Sequence, residues 1–443
     1  SGSLSGTDDL YDALFARVGV IRVKSPSQLL KTLKFLCVAG APSGNRVAGF
    51  TCSGGGATML ADHAEAIGLG FPAFGPAERA ALLPLLPDIA TVSNPLDYTT
   101  PIWGDASKTG PVFASAINGL LADSAVLVQD YPAAGLDESK PYYRADAGAF
   151  IAAAKARGIP AAICATLPEN IDPETRDWLV AQGVAPMQGL TETLDAMRAA
   201  GLWAERRIQI MAKRPAPLLA LRDLATLQTV DEAAGKALLS TLGLPIPAGE
   251  VVAGAQVVQA ASRIGYPVVL KMMGPKLAHK SEAGAVAVGL ANATDLTAAL
   301  QKMRADVTAH DPLALTDRFL VEAMAPRPLA ELLVNLRRDA QFGLVLTLGA
   351  GGVLVELLED AATLLLPASA SQIEAALNGL KIARILRGYR GARGADMAAL
   401  AGFIAQLCQL FETHSATLAE VEINPLFVTA TGPWVVDVLI QKA

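Results

Sequence analysis

Short apolar runs, each closed within a few residues by glycine or proline, alternate with helix-period segments through residues 45–210. Val47–Cys52, Ala125–Gln129 and Ala161–Thr166 are the strand candidates. Uninterrupted apolar strands separated by helices are what a parallel sheet buried on both faces requires, so this stretch predicts a βαβ layer. The longest uncharged runs, such as Met397–Phe411, fall short of the ~18 residues that span a bilayer, so no membrane span is expected. Hydrophobic residues are 52% and charged residues 18% of the chain, which excludes disorder as a global description. A net charge of −6 denies the chain as a whole the basic field that draws nucleic acid. At ~150 residues per domain, 443 residues imply about three domains.

Composition shifts divide the chain further. Residues 1–40 read as a helix-rich lead-in that ends at the turn Gly40-Ala-Pro-Ser-Gly44, and 41–210 form the parallel layer. After the linker Lys213-Arg-Pro-Ala-Pro217, the rest of 211–443 reads as a longer mixed α/β unit. That unit opens with a capping-box pattern, Thr229-x-x-Glu232. Ala234, Leu238 and Leu242 then mark a helical stripe, closed by Gly243 and Pro245. A second helix carries Val257, Ala261 and Ile264. The strand Pro267–Met273 follows, and a further helix keeps a 3.6 period from Leu296 to Val307. Cys37, Cys52, Cys164 and Cys408 form no C-x-x-C, so neither a zinc site nor a disulfide framework is expected. Buried inert thiols fit Cys52 and Cys164, and a cytoplasmic location fits the whole.

Several residues invite chemistry. Lys271 interrupts an apolar strand, where a cation must be paired, meet a ligand such as nucleotide phosphate, or snorkel from an edge. His279 lies in the loop His279-Lys-Ser-Glu-Ala-Gly284. It reads either as a phosphoryl-accepting nucleophile or as a solvated loop histidine. In Glu420-Val-Glu-Ile-Asn-Pro-Leu426 the polar residues alternate, so Glu420, Glu422 and Asn424 share one face. A hairpin turning near Ala430 and Thr431 sets Asn424 opposite Asp437, with Cβ atoms about 5 Å apart. Such hard oxygens suit Mg²⁺ carrying phosphate; the alternative is an exposed polar sheet face. Ser53-Gly54-Gly55-Gly56 follows a strand and opens a helix. It reads as an anion cradle or as a plain tight turn, and it matches neither glycine-rich nucleotide fingerprint. Gly349-Ala-Gly-Gly352, between the apolar runs Leu344–Leu348 and Val353–Leu358, reads as a tight loop able to cover a ligand.

Taken together, these pieces resemble the NDP-forming (ADP-forming) acyl-CoA synthetases, relatives of succinyl-CoA synthetase. The likeness runs nearly end to end, through Ser1–Asp9, Tyr11–Phe15, Gly19–Val23, Ser53-Gly-Gly with Asp62, and Asn94-Pro-Leu-Asp97. In the second unit it includes Gly265–Lys271, His279–Glu282, Glu331-Leu332, Arg338-Asp339, Gly349–Gly352 with Glu356 and Asp360, Gly388–Gly391 and Glu422–Leu426. The resemblance implies a flavodoxin-like ligase domain followed by an ATP-grasp domain, the lead-in being the end of a preceding CoA-ligase domain. It also implies a reaction of ATP, a carboxylic acid and CoA that yields ADP, phosphate and acyl-CoA through acyl phosphate and phosphohistidine.

By that likeness His279 ferries phosphate and Lys271 grips it. Glu322 and Met324 lie in an adenine-side hinge, Glu331 faces the nucleotide, and Asn424 and Asp437 hold Mg²⁺ beside a catalytic Glu422. Ser53–Gly56 steadies phosphohistidine from the ligase side. The implied ligands are ATP/ADP, Mg²⁺, CoA and a small carboxylic acid. A homo-oligomer and a separate or preceding CoA-binding portion are implied as partners, without nucleic acid or membrane. Three departures stand out. Ala285 replaces a family glycine, Thr363-Leu-Leu-Leu366 lacks an expected basic residue, and the chain starts just after the place of the family's first phosphohistidine. The last suggests a piece of a larger protein. The competing readings are an ATP-grasp ligase of another class and a non-catalytic nucleotide-binding module.

Overall fold

The computed structural model describes residues 8–132, 135, 138–221, 223–224, 226–241, 243–277, 280–352, 360–391 and 393–443. The expectations for Ser1–Gly6, Leu242, His279, Val353–Leu358 and Glu356 fall outside these residues. The chain makes two compact units, Val18–Pro215 and Ser1–Arg17 with Ala216–Ala443. The lead-in is shared between them. The helix Pro26–Val38 packs within the first unit, whereas Tyr11, on the helix Asp8–Val18, meets Phe342 of the second edge-to-face at 5.1 Å. No helix among the described residues is long and apolar enough to cross a membrane.

The first unit is built on five parallel strands: β1 (Val47–Thr51), β2 (Leu96–Asp97), β3 (Ser124–Val128), β4 (Ala161–Ala165) and β5 (Ala185–Gln188). The three strand candidates named above are β1, β3 and β4. The short β2 and the proline-bearing β5 carry too little apolar run to stand out. Residues alternate between two cores. Ala48 and Phe50 pack with Leu127 and Ile163 on one face, while Val47 packs with Val126, Ala162 and Cys164 on the other. Both faces are therefore buried, which is why these strands read as continuous apolar runs. The order β2-β1-β3-β4-β5 is that of the expected flavodoxin-like fold. The strand order reverses between β1 and β3, and such switch points open a crevice at the carboxyl ends of the strands.

The second unit holds two antiparallel sheets. The smaller has the order β7-β10-β8-β9, with β6 (Gln228–Val230) preceding it in sequence but belonging to the larger sheet. Its strands are β7 (Gly249–Val252), β8 (Val268–Met272), β9 (Val286–Leu290) and β10 (Phe319–Ala323). Leu270 and Met272 enter a core with Phe319 and the helices Val257–Ile264 and Ala293–His310, so Lys271 between them faces the other way.

The larger sheet comprises β11 (Ala330–Asp339), β12 (Gly343–Ala350), β13 (Ala361–Leu365), β14 (Leu418–Thr429), β15 (Gly432–Val435), β16 (Val438–Lys442) and β6. Leu332, Val334, Leu336, Val421 and Ile423 pack one face against the helix Met397–Thr413. Glu331, Asn335, Arg337, Glu420, Glu422 and Asn424 are half-buried and alternate with those core residues, so they populate the opposite face.

One helix departs from the expected pattern. Thr229 lies in β6, and Asp231 is the N-cap of the helix Glu232–Ser240, accepting from the Ala233 N–H at 3.0 Å. Its buried stripe is Glu232, Gly235, Lys236 and Leu239, while Leu238 is exposed. The apolar count misassigned the inward face because a charged pair, Glu232 and Lys236, occupies it.

Candidate functional site

That charged pair lies at the centre of a buried ion cluster. Glu232 Oε1 accepts Lys271 Nζ at 2.6 Å and lies 2.9 Å from Lys236 Nζ, while its Oε2 is 2.9 Å from Lys280 Nζ. Lys236 also donates to both oxygens of Glu322, at 2.6 and 2.8 Å. Lys271 lies 3.3 Å from Glu322 Oε2 and donates to the Val436 carbonyl at 2.9 Å. Lys280 donates to Asp437 Oδ1 at 3.3 Å. Lys271 is thus paired within the interior strand β8, which removes the snorkelling-edge alternative.

The pairing overcomes the cost of burial unevenly. Burial pushes the Glu232 carboxyl up, but Lys271, Lys236 and Lys280 together hold it well below the ordinary glutamate range. For Lys271, burial lowers the ammonium and is outweighed by Glu232, Asp437 and Glu322, so it stays protonated more firmly than a free lysine. Lys280 is raised too, burial being outweighed by Asp437 and Glu232. Lys236 is the exception. Burial and then Lys271 lower it, and its two carboxylates only partly compensate. Burial also raises Asp437; Lys271 opposes this and Glu232 adds to it.

Beside the cluster is an oxygen-rich cavity of about 190 Å³, lined by Lys280, Ser281, Glu282, Glu422, Asn424 and Asp437. The strand register explains the grouping. Ile423 pairs with Val438 and Leu426 with Val435, so Asn424 stands opposite Asp437 as the alternation predicts. The expected single return strand from Trp434 to Ile440 is instead split into β15 and β16, and Asp437 sits in the gap between them. Asn424 Oδ1 accepts the Gly352 N–H at 3.1 Å, and Asn335 Nδ2 bridges Glu420 and Glu422 at 2.8 and 2.9 Å. Among the described residues no three His, Cys, Asp or Glu gather into a metal cage. The donor set here, the Asp437 carboxylate and the Asn424 amide oxygen opening on a cavity that Glu282 and Glu422 also line, is what a phosphate-borne Mg²⁺ uses, so the residues fit that ion.

An ATP-grasp domain family matches residues 224–441, the stretch that holds every residue of this cluster and cavity. The acetate–CoA ligase (ADP-forming) I beta subunit of Pyrococcus furiosus is 30% identical over 207 residues, covering 46% of this chain and 88% of that subunit. The chain belongs to the ADP-forming acyl-CoA ligase family. A trans-feruloyl-CoA synthase from an unknown prokaryotic organism is 30% identical over 441 residues, or 98% of this chain and 60% of the relative. The acetate–CoA ligase (ADP-forming) I of Archaeoglobus fulgidus is 29% identical over 451 residues, covering 99% and 62%. The chain therefore spans about three fifths of these longer family members.

The remaining expected site residues of this family member are distributed unevenly. Glu322 gives both oxygens to Lys236 and lies buried in the ion cluster, while Met324, just past β10, is 41% exposed. Glu331 lies against the Gly351-Gly352 turn: its carbonyl accepts the Gly351 N–H, and a Cβ on Gly352 would stand 2.1 Å from its Oε2. With φ +65 at Gly352, that turn suits glycine on both grounds. Glu331 and Asn424 are thereby joined through one glycine pair. Ser53–Gly56 belongs to the other unit. Ser53 caps the helix Gly54–Ile67, accepting from the Gly56 N–H at 3.4 Å, and Gly54 and Gly55 are exposed at its start beside the β1–β3 switch point.

Sequence reading missed Glu232 and Lys236. Their signal was present as a Glu and a Lys four apart on a helix otherwise built of alanine and leucine, at positions i and i+4 of a stripe with Gly235 and Leu239.

Proposed function

We propose that this chain is the nucleotide-using portion of an ADP-forming acid–CoA ligase, which joins a carboxylic acid to CoA at the expense of ATP. The observation that carries the reading is a cluster of two buried lysines, Lys236 and Lys271, and the half-buried Lys280, beside an oxygen-lined cavity around Asn424 and Asp437, inside the stretch that matches the ATP-grasp family. Membership of the ligase family supports the reaction class.

Lys271, buried in the cluster against Glu232, is assigned to phosphate oxygens of ATP in this reading. Lys280 and the Glu422 carboxylate flank the same cavity. Asp437 and Asn424 would hold Mg²⁺, which supplies positive charge to the phosphates when bound. His279 attacks the γ-phosphorus through a ring nitrogen. A P–N bond forms as the P–O bond to ADP breaks, and ADP leaves with the electron pair of that bond. Phosphohistidine then passes its phosphoryl group to a carboxylate oxygen, the P–N bond breaking as the P–O bond forms, and CoA thiolate attacks the acyl carbon of the resulting acyl phosphate and expels phosphate. Ser53–Gly56, an exposed helix start at a switch point, is suited to steady a phosphoryl group through free N–H groups. The ligand set is ATP/ADP, Mg²⁺, CoA and a carboxylic acid, and the rest of a longer enzyme supplies the CoA-binding portion.

The test is phosphorylation. ATP labelled at its γ-phosphate is expected to leave an acid-labile, alkali-stable label on the protein, and His279→Ala is expected to abolish it. Full labelling of His279→Ala would remove that histidine from the reaction. ATP turnover with an amine acceptor and no bound phosphate would favour an ATP-grasp ligase of another class.

A further inference from the structure

Lys280 stands between two cavities. One is the oxygen-rich cavity around Glu422, Asn424 and Asp437. The other, also about 190 Å³, is lined by Asp231, Glu232, Met273, Gly274 and Arg318. Lys280, Val438 and Leu439 border both. The Lys280 ammonium spans the partition, 2.9 Å from Glu232 Oε2 and 3.3 Å from Asp437 Oδ1. Its side chain is only 12% exposed. This is a cation set among oxygens at the position where the site would bring a metal ion.

The charge count in the cluster is balanced. Lys236, Lys271 and Lys280 face Glu232, Glu322 and Asp437, three cations against three carboxylates. The adjoining cavity adds the Glu282 and Glu422 carboxylates, so phosphate entering alone meets an excess of negative charge. A divalent ion entering alone must share Asp437 with an ammonium at close range, where like charges repel strongly. Entering together, they permit an exchange in which Asp437 and Asn424 turn to the metal and Lys280 is released to the phosphate. In that exchange Asp437 gains the metal in place of Lys280, and Glu232 keeps Lys236 and Lys271 at its other oxygen.

We propose that Lys280 is a place-holder cation. It occupies the cation side of Asp437 in the empty site and moves to the phosphate when a metal-loaded nucleotide arrives. Metal and nucleotide then bind with positive coupling, because each removes what holds the other off. The device disfavours bare metal in the site. It rests on the ligase reading for the assignment of Asp437 as a metal ligand.

The probe is Mn²⁺, titrated by electron paramagnetic resonance with and without a non-hydrolysable ATP analogue. Wild-type protein is expected to bind Mn²⁺ weakly alone and more tightly with the analogue. Lys280→Met is expected to tighten binding of Mn²⁺ alone by about tenfold and to shrink the coupling, within the range usual for such linkages. Lys280→Gln is the second neutral variant, and Lys280→Arg, which keeps the charge, is expected to stay near wild type. Unchanged or weaker binding of Mn²⁺ alone in the folded neutral variants would overturn the proposal. Asp437→Asn tests the underlying assignment separately. If it leaves Mn²⁺ binding in the presence of the analogue intact, Asp437 is no metal ligand. If it abolishes that binding while Lys280→Met keeps the wild-type Mn²⁺ affinity, only the place-holder role fails.

Discussion

Glu232 carries more of the site than any other single side chain, since Lys236, Lys271 and Lys280 all lie within 3 Å of it. Replacing it by glutamine strands buried ammonium groups, and breaking a buried pair costs about 3–5 kcal/mol. Glu232→Gln should therefore lose roughly that much stability at neutral pH, measured by urea unfolding. The pH dependence has a definite sign. The Glu232 carboxyl is depressed in the folded state, so its contribution is complete above the ordinary glutamate value of about 4.3. It disappears as pH falls through the folded-state value. The stability gap between wild type and Glu232→Gln is expected to be constant from pH 6 to 8 and to narrow on acidification; a gap that widens below about pH 4.3 would contradict this. Lys271 was legible in the sequence as a cation out of place. Glu232 was not, because a glutamate in a first helical turn has an ordinary explanation as part of a cap.

Among the elements, β14 shows why strict alternation is the more readable signal. Its polar face was read directly from Glu420, Glu422 and Asn424, and the hairpin register followed from the turn at Ala430 and Thr431. What alternation could not reveal was the neighbour on β11. A register shift between Leu332 and Val334 brings Asn335 opposite Glu422, where one amide serves two carboxylates. Bulges depend on pairing across the sheet, so no local pattern announces them. Asn335→Leu removes the shared donor and leaves Glu420 and Glu422 side by side. An expected loss of about 1–3 kcal/mol follows, read as a lower urea midpoint with unchanged slope. The helix stripe from Ala234 to Leu242 failed for a related reason. Periodicity counts apolar residues, and this helix turns its charged ones inward.

On the scale of the whole molecule, the two units have separate cores, and each contains one buried cysteine. Cys164 lies in the first unit and Cys408 in the second, and burial pushes both thiols up to about 12. Both should resist alkylation until their unit opens, while the exposed Cys37 reacts at once. Pulsed thiol labelling across a urea gradient is expected to resolve two openings. Glu232→Gln should advance labelling of Cys408 and leave Cys164 where it was. If both cysteines shifted together, the units would be unfolding as one. This division was only partly legible. The linker near Pro215 and Pro217 marked one boundary, but the helix Asp8–Val18 joins the distant end of the chain through contacts such as Tyr11 with Phe342, which no local composition discloses.

The shared carboxylate also constrains descent. Because Lys236, Lys271 and Lys280 draw on the same glutamate, and Lys236 closes on Glu322 as well, these positions cannot drift independently. A lineage that loses Lys236 leaves Glu322 with less compensation, and one that loses Glu232 exposes three lysines to selection together. Substitutions in this cluster should accordingly be inherited in sets, with Lys236 and Glu322 gained or lost as a couple while the apolar walls around them exchange freely.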